Sequence, residues 1–309
     1  MMSMNLLYFL NFNATVVIYV LKNNNMNKIK VIFVILSFVG NSRLYIYGQM
    51  TSISQTDSLL KEVFTLDQKY RILLDSLAQS GTVPDIELFY KIAKQDSVNQ
   101  SITFPIVDKI IKGELGGLSD NSYRACYYVI QHSDGTSQLK YASFIKLLFN
   151  KKLISNEEYM WFTDRLHVRQ HKAQVYGLQT RRFETGDLML YPIYSGYRKA
   201  WAEIGEAFDK NIWASFTGDY HPVFIEEDEF VIIIHLKDPA NNTKGLKNID
   251  IRMNDITIGR TNDYGFFIKK IKKENIPDYL CFKSCDNEIK YPITVSEYED
   301  FMHIVFVFQ

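Results

Sequence analysis

Ser155-Asn156-Glu157-Glu158-Tyr159-Met160-Trp161-Phe162-Thr163-Asp164-Arg165-Leu166 spells out the start of a helix. Ser155 and, three residues on, Glu158 form a capping box, each side chain satisfying a backbone N–H near the other, so a helix begins at Asn156. It carries Tyr159, Phe162 and Leu166 inward, and Asp164 falls on another line with Trp161 and Val168.

The same period recurs upstream. From Gln55 to about Ser80, the residues Leu59, Val63, Leu66, Tyr70, Leu73 and Leu77 form one stripe, closed by Gly81 and Pro84. A second helical segment runs from Asp85 to about Ile102. Pro105 interrupts it, because proline removes a donor and crowds the preceding turn, and Ile106 to Ile111 follows. Ser122 to Ser133 buries Tyr123, Cys126, Tyr127 and Ile130, and Thr136 to Lys151 makes a further helix. Residues 50–185 therefore read as an all-α domain of five or six antiparallel helices. Residues 186–227 are a mixed connector with a short helix from Gly196 to Phe208. From Glu229 the period changes to that of strands, with runs at Phe230–Leu236, Ile249–Ile258, Phe266–Ile271, Tyr279–Phe282, Ile289–Val295 and Met302–Phe308. The expected fold class is thus an N-terminal all-α helical bundle followed by a small antiparallel β-sandwich at 228–309.

Lys+Arg and Asp+Glu are both 35, so no global field draws the chain to nucleic acid or to an anionic membrane. The address is at the N-terminus. Asn27-Lys28-Ile29-Lys30 is a short basic region, Val31 to Gly40 an apolar run, and Gly48 a small residue at a cleavage point before Gln49. Residues 1–48 read as a signal-peptide region with translation starting at Met26. The protein is then exported to the periplasm or the exterior of a bacterium and meets the membrane only through that segment. A membrane anchor competes, but the run is too short to span. An earlier apolar run, Leu6 to Leu21, is broken by Asn11 and Asn13, and no Cys follows Gly40 at the position a lipoprotein requires. Cys126 falls in a helical stripe. Cys281 and Cys285 can bridge only if the strand turns between them, since four residues of straight strand span roughly 13 Å.

Asp67-Gln68-Lys69-Tyr70-Arg71, Asp96-Ser97-Val98-Asn99, Gln131-His132, Asp164-Arg165 and Gln174-Val175-Tyr176-Gly177-Leu178-Gln179 together resemble a bacterial family of helical domains of unknown function. The likeness covers about 115 residues in order and implies a helical fold, with no known activity attached to it. Leu178 departs from it, standing where a small hydroxyl residue is usual. Gly259-Arg260-Thr261-Asn262-Asp263-Tyr264-Gly265-Phe266-Phe267 resembles a turn of the transthyretin-like carboxypeptidase regulatory-like domains, with Asn262 where Asp is commoner. That resemblance implies a non-catalytic, accessory β-sandwich.

His132 is the group best suited to proton chemistry, and Asp164, if close, would orient its ring. The competing structural reading has Gln131, His132, Asp164 and Arg165 satisfying one another and locking the helices. Asp67 and Arg71 are four apart, where a partly buried pair would fix register or hold a ligand. Arg71 and Arg165 offer planar forks for carboxylate or phosphate. With Asp67, Gln68, Gln131, Gln174, Tyr176 and Gln179 they look like a polar pocket rather than a nucleophile's setting. His167 and His171 have metal-pair spacing, but Val168 stands where the zinc-protease helix has Glu, so a solvated basic helix end is favoured. Neither a metal nor a cofactor is expected. Two functions follow: an exported protein binding a small polar or anionic ligand or a protein partner, and a hydrolase in which His132 and Asp164 activate water.

Overall fold

The computed structural model describes residues 4–11, 14–21, 30–35, 52–80, 82, 84–182, 188–208, 222–238, 241–283, 288–296 and 299–307. Strands β1 (Met4–Asn11), β2 (Ala14–Leu21) and β3 (Lys30–Ile35) pair antiparallel in that order within a first unit that ends at Thr51. The expected signal segment falls here. Its apolar run begins inside β3, and its end at Gly40 and the cleavage point at Gly48 lie outside the described residues.

The second unit, Ser52–Gln309, has its helices first and its main sheets after them. The long helices are α1 (Ile53–Gln79), α2 (Ile86–Ile111), α3 (Asp120–Gln131), α4 (Gly135–Asn150) and α5 (Asn156–Arg169). Four of them start at a side-chain cap: Asp85, Ser119, Asp134 and Ser155 each accept from a backbone N–H two or three residues on. The capping box at α5 is complete, with Glu158 Oε2 accepting from Ser155 N at 2.7 Å and Ser155 Oγ accepting from Glu158 N at 3.1 Å. Pro105 does not interrupt α2, contrary to the expectation from sequence. It lies on an exposed face, where water can satisfy the carbonyl one turn back that its missing N–H leaves free. Among the described residues, no helix is long and apolar enough to cross a membrane.

After α5 the chain makes short pieces: β4 (Thr180–Arg182), β5 (Leu188–Leu190), β6 (Ile193–Tyr194), α6 (Tyr197–Glu203) and β7 (Phe224–Ile225). Helix α6 is shorter than the span expected from Gly196 to Phe208. Next come β8 (Glu229–Asp238), β9 (Asn241–Gly245), β10 (Asp250–Met253), β11 (Ile256–Arg260), β12 (Phe266–Lys272), β13 (Tyr279–Lys283), β14 (Glu288–Pro292) and β15 (Phe301–Val307). One sheet runs β11-β10-β13-β14. The other runs β12-β8-β15, with β9 also paired to β8. Two expectations need correction. The run Ile249–Ile258 is a hairpin rather than one strand, because Asn254 and Asp255 take positive φ (44° and 70°) and turn the chain in two residues. The second sheet is also mixed rather than antiparallel, since β15 runs parallel to β8.

The sheets share one apolar core of Phe230, Ile232, Ile234 and Leu236 from β8 with Ile251, Leu280, Phe282 and Ile304. The opposite face of β8, through Val231 and Ile233, packs with Phe266 and Phe301 against Ala173, Met189 and Val168 at the end of α5. A polar seam follows the same line. Ala173 N donates to Asp300 Oδ2 (3.0 Å), Asp300 N donates to His171 O (2.8 Å), and Lys273 Nζ reaches Asp300 Oδ1 (2.8 Å). Helices and sheets are therefore joined by a common core, which the change of period in the sequence does not reveal. Cys126 and Cys281 are buried thiols, and Cys285 lies outside the described residues. Burial pushes the Cys126 thiol up to about 12.

His303 shows what this packing costs. Its Nδ1 lies 3.1 Å from Arg181 Nη1, its Nε2 is buried without a partner, and burial with the nearby Arg181 lowers its pKa to about 3. A histidine held neutral in the fold but titrating near 6.5 when unfolded contributes stability that is fully present above about pH 6.5 and is lost as pH falls toward 3. Urea unfolding at pH 7.5 and 5.5 is expected to show wild type losing roughly 1 kcal/mol more than His303→Leu over that interval. Equal losses would contradict the assignment.

Candidate functional site

The site is built from the inner faces of α1, α2, α3 and α5. Asp67 on α1 is buried, and its carboxylate is shared. Gln68 Nε2 donates to Oδ2 at 2.7 Å, Arg71 Nη1 reaches Oδ1 at 3.3 Å, and His132 Nδ1 lies 3.0 Å from Oδ2 and 3.1 Å from Oδ1. Arg71 also spends Nη2 on both oxygens of Asp96 on α2, at 2.8 Å each. This two-oxygen grip fixes the register of α1 against α2 and pairs one guanidinium with two carboxylates. His132 is the C-cap of α3, so Asp67 also ties the end of that helix to α1.

Asp164 does different work. Its Oδ1 accepts from Val175 N (2.8 Å) and Tyr176 N (2.9 Å), and its Oδ2 accepts from Leu178 N (2.9 Å). The N–H groups of the loop converge on one fully buried carboxylate because Gly177 takes φ +80°, a conformation glycine enters without steric cost. Burial pushes Asp164 up to about 6 against the pull of those donors. Gln174 closes the loop, donating from Nε2 to Gln179 O (3.1 Å) and Tyr191 O (2.9 Å) and accepting from Gln179 N. Tyr176 and Leu178 are buried with Trp201 of α6, whose Nε1 donates to Tyr176 O at 3.1 Å.

The residues expected to form one polar pocket thus fall into two sets. Asp67, Gln68, Arg71, Gln131, His132 and Arg165 stand together. Asp164, Gln174, Tyr176 and Gln179 make a buried loop clamp. His132 bonds to Asp67, whereas Asp164 bonds to the loop, so the expected His132–Asp164 pair is not formed. Arg71 is held by its carboxylates. Asp96 had no role of its own in the sequence reading, although its motif was part of the resemblance.

Arg165 is the exception. It lies mostly inside the protein, yet its one hydrogen bond runs from Nη1 to Gln131 O (3.1 Å), and it has no carboxylate partner among the described residues. Burial, with Arg169 and Arg71 nearby, disfavours its charge. Gln131 O is satisfied independently by Gln138 Nε2 at 2.8 Å. Beside Arg165, between α3 and α5, opens a cavity of about 360 Å³ lined by Tyr127, Tyr128, Gln131, His132, Glu157 and Trp161, among others. Glu158 also borders it, but both of its oxygens are taken, by Arg124, Tyr128 and Ser155. Gln131 is buried and its Oε1 has no partner. Aromatic side chains of α3 were expected in the core, and nothing in their spacing marks Tyr127, Tyr128 or Trp161 as cavity walls. A larger cavity of about 550 Å³ lies beside α1 and the start of α3, but its carboxylate, Asp57, is engaged by Ser119 and Ser122.

His167 and His171 do not form a metal pair. His167 Nδ1 lies 2.9 Å from Ala173 O, and His171 Nδ1 lies 3.3 Å from Glu299. No protein-family model matches the chain, and no curated protein matches its sequence.

Breaking the clamp should cost more than breaking the histidine pair. Asp164→Ala orphans three buried N–H groups and is expected to lower the unfolding free energy by about 3 kcal/mol or more. His132→Ala leaves Asp67 neutralised by Arg71 and is expected to cost roughly 1–2 kcal/mol. Urea denaturation of the two variants would reveal an inverted order.

Proposed function

We propose that the chain is a binding protein whose helical part takes a small polar ligand bearing an anionic group in the cavity between α3 and α5. The observation that carries this reading is Arg165: a largely desolvated guanidinium with one neutral hydrogen bond and no counter-charge among the described residues, beside an open cavity. An uncompensated buried charge destabilises a fold, and such groups are kept where an incoming partner supplies the missing interactions. The ligand's carboxylate or phosphate would accept from the free N–H groups of Arg165. Its apolar part would lie against Tyr127, Tyr128 and Trp161.

The test is calorimetric titration of the full chain with acetate, succinate and inorganic phosphate. Saturable binding of at least one, weakened about 10- to 100-fold in Arg165→Met, is expected, since a charge-assisted hydrogen bond contributes about 1.5–3 kcal/mol. The same variant should unfold at a temperature equal to or above wild type. No binding by any of the three, or a large loss of stability in Arg165→Met, would refute the reading.

A second reading is favoured by one distance pair. Asp67 holds Nδ1 of His132, which leaves Nε2 as the ring nitrogen without a partner among the described residues, on a residue that borders the cavity. A histidine oriented through Nδ1 by a carboxylate can take a proton from water at Nε2, so a hydrolase would use His132 with Asp67 as its positioning residue. Hydrolysis of p-nitrophenyl acetate at equal rates by wild type and His132→Gln would end that reading. A drop of 10-fold or more would favour it.

We further propose that the protein is exported and that its sheets form an accessory β-sandwich of the transthyretin-like kind. The basic Asn27–Lys30 segment before an apolar run supports the first. The second is supported by the turn at Thr261–Phe266. There Thr261 Oγ1 donates to Leu246 O (2.6 Å), and Asn262 Oδ1 accepts from Tyr264 N (3.0 Å) and Phe266 N (2.9 Å). At Gly265, φ is +78° and an added Cβ would lie 2.3 Å from Leu236 O. Mass spectrometry of the secreted protein is expected to find a mature N-terminus at Gln49, and retention of residues 1–48 would refute export.

A further inference from the structure

Helix α2 carries two apolar stripes, and only one is used along its whole length. The first, Leu88, Ile106 and Val107 with the polar Asn99 and Thr103, is the buried face toward α1 and α3. The second is Ile86, Phe89, Tyr90 and Ala93, at the i, i+3, i+4, i+7 spacing of one helix face, and all four are exposed. Ile86 and Tyr90 are 68% and 69% exposed, far more than an incidental surface contact leaves.

The same face is covered further along the helix. Phe104 lies eighteen residues beyond Ile86 and eleven beyond Ala93, which is five turns and three turns at 3.6 residues per turn. It is half-buried against Tyr141 of α4, with ring centroids 4.9 Å apart. Lys140, next to Tyr141, reaches Asp108 one turn further on α2. This face of α2 therefore meets α4 near its C-terminal end, through Phe104 and Asp108, and is exposed at its N-terminal end.

The flank of the bare stripe indicates its occupant. Glu87 and Lys94 are seven residues apart, so they take the same position on the edge of the stripe, and they carry opposite charges. When two copies of such a helix pack antiparallel, each edge meets the same edge of the other helix running the opposite way. With the crossing centred beside Tyr90, Glu87 of each copy lies opposite Lys94 of the other, and two cross-pairs form. A parallel pairing sets Glu87 against an apolar position and forms none. Within one copy, among the described residues, the Glu87 carboxylate is engaged by exposed Lys91 at 2.9 Å, a pair that can share its carboxylate.

We propose that the protein self-associates through the N-terminal half of α2, packed antiparallel on the same segment of a second copy, with Ile86, Phe89, Tyr90 and Ala93 at the centre and Glu87–Lys94 pairs at the edge. A few apolar side chains fall short of the roughly 800 Å² per partner of a standard stable interface, so the dimer is a weak one that forms at micromolar concentrations and above.

Sedimentation velocity of the full chain between about 1 and 300 µM tests this. Wild type is expected to pass from monomer to dimer across that range, and Tyr90→Arg to remain monomeric throughout with an unchanged circular dichroism spectrum. The single reversals Glu87→Lys and Lys94→Glu should each weaken the dimer about 3-fold or more, and the double reversal should restore it, as a merely adhesive surface would not. A wild-type chain that stays monomeric to 300 µM overturns the proposal, as does a double reversal no better than the singles. So does dimerisation unaffected by Tyr90→Arg. None of these results depends on ligand binding at Arg165.

Discussion

One buried carboxylate sets the arrangement of the second unit. Asp164 gathers the N–H groups of Val175, Tyr176 and Leu178, and so holds the chain immediately after α5 against the helix it has just left. That loop seats Tyr176 and Leu178 beneath Trp201 and brings Gln174 to the backbone of Tyr191. Through Ala173 it also presents a backbone donor to Asp300 at the head of β15. A helix places successive side chains about 100° apart. Once Asp164 is turned into its loop, the next residue, Arg165, is rotated away from it and toward the end of α3. The cavity and the junction with the sheets thus depend on the same rotational setting of α5.

This explains why adjacent polar residues have opposite characters. Asp164 is completely satisfied and fully enclosed, and burial raises its pKa without leaving it short of donors. Among the described residues, Arg165 has one hydrogen bond and no counter-charge. On α1, Asp67 and Arg71 form a third kind of environment, in which each charged group has a bonded partner: two carboxylates, one guanidinium and one imidazole share five contacts of 2.8–3.3 Å. A network of that kind specifies helix register and gives little reason to expect a ligand there. The contrast assigns structural work to Asp67, Arg71, Asp96 and Asp164 and leaves Arg165, with His132 and Gln131, facing the cavity.

Local chemistry made the start of α5 legible from sequence. Ser155 with Glu158 marked it to the residue, because a cap is a bond between near neighbours, whereas the side-chain caps Ser119 and Asp134 start α3 and α4 one or two residues before the Ser122 and Thr136 expected from apolar spacing. The strands were legible as runs but not as a topology. The turn at Asn254–Asp255 is marked in the sequence by two consecutive polar residues that shift the apolar alternation by one, a break passed over in taking 249–258 as one strand, and the parallel return of β15 to β8 depends on a connection that no period records. At the site, the residue types were legible and their partners were not. His132 and Asp164 were joined in the sequence reading because a histidine needs an orienting carboxylate. The fold supplies Asp67 instead, 65 residues away on α1. Pro105 was read as a break because its steric effect is certain, while the exposure that makes the effect tolerable is a tertiary property.

The helical core also holds polar atoms that the protein itself does not satisfy. Asn99 Nδ2 and Thr103 Oγ1 on α2, Gln131 Oε1 on α3 and Gln138 Oε1 on α4 are buried without partners. Each such group left dry costs about 1–3 kcal/mol, and together they would take a large share of a domain's usual margin. Two of them, Nδ2 and a hydroxyl, can donate, and the other two are acceptors, a balance that bridging water can close. Gln131 belongs both to this set and to the cavity wall. Its backbone carbonyl holds Arg165 and Gln138, while its side-chain oxygen Oε1 is left unpaired. Of the four, Gln131 alone reaches the cavity, so the cost of its unsatisfied oxygen falls at the wall beside Arg165, while Asn99, Thr103 and Gln138 bear theirs inside the helical packing.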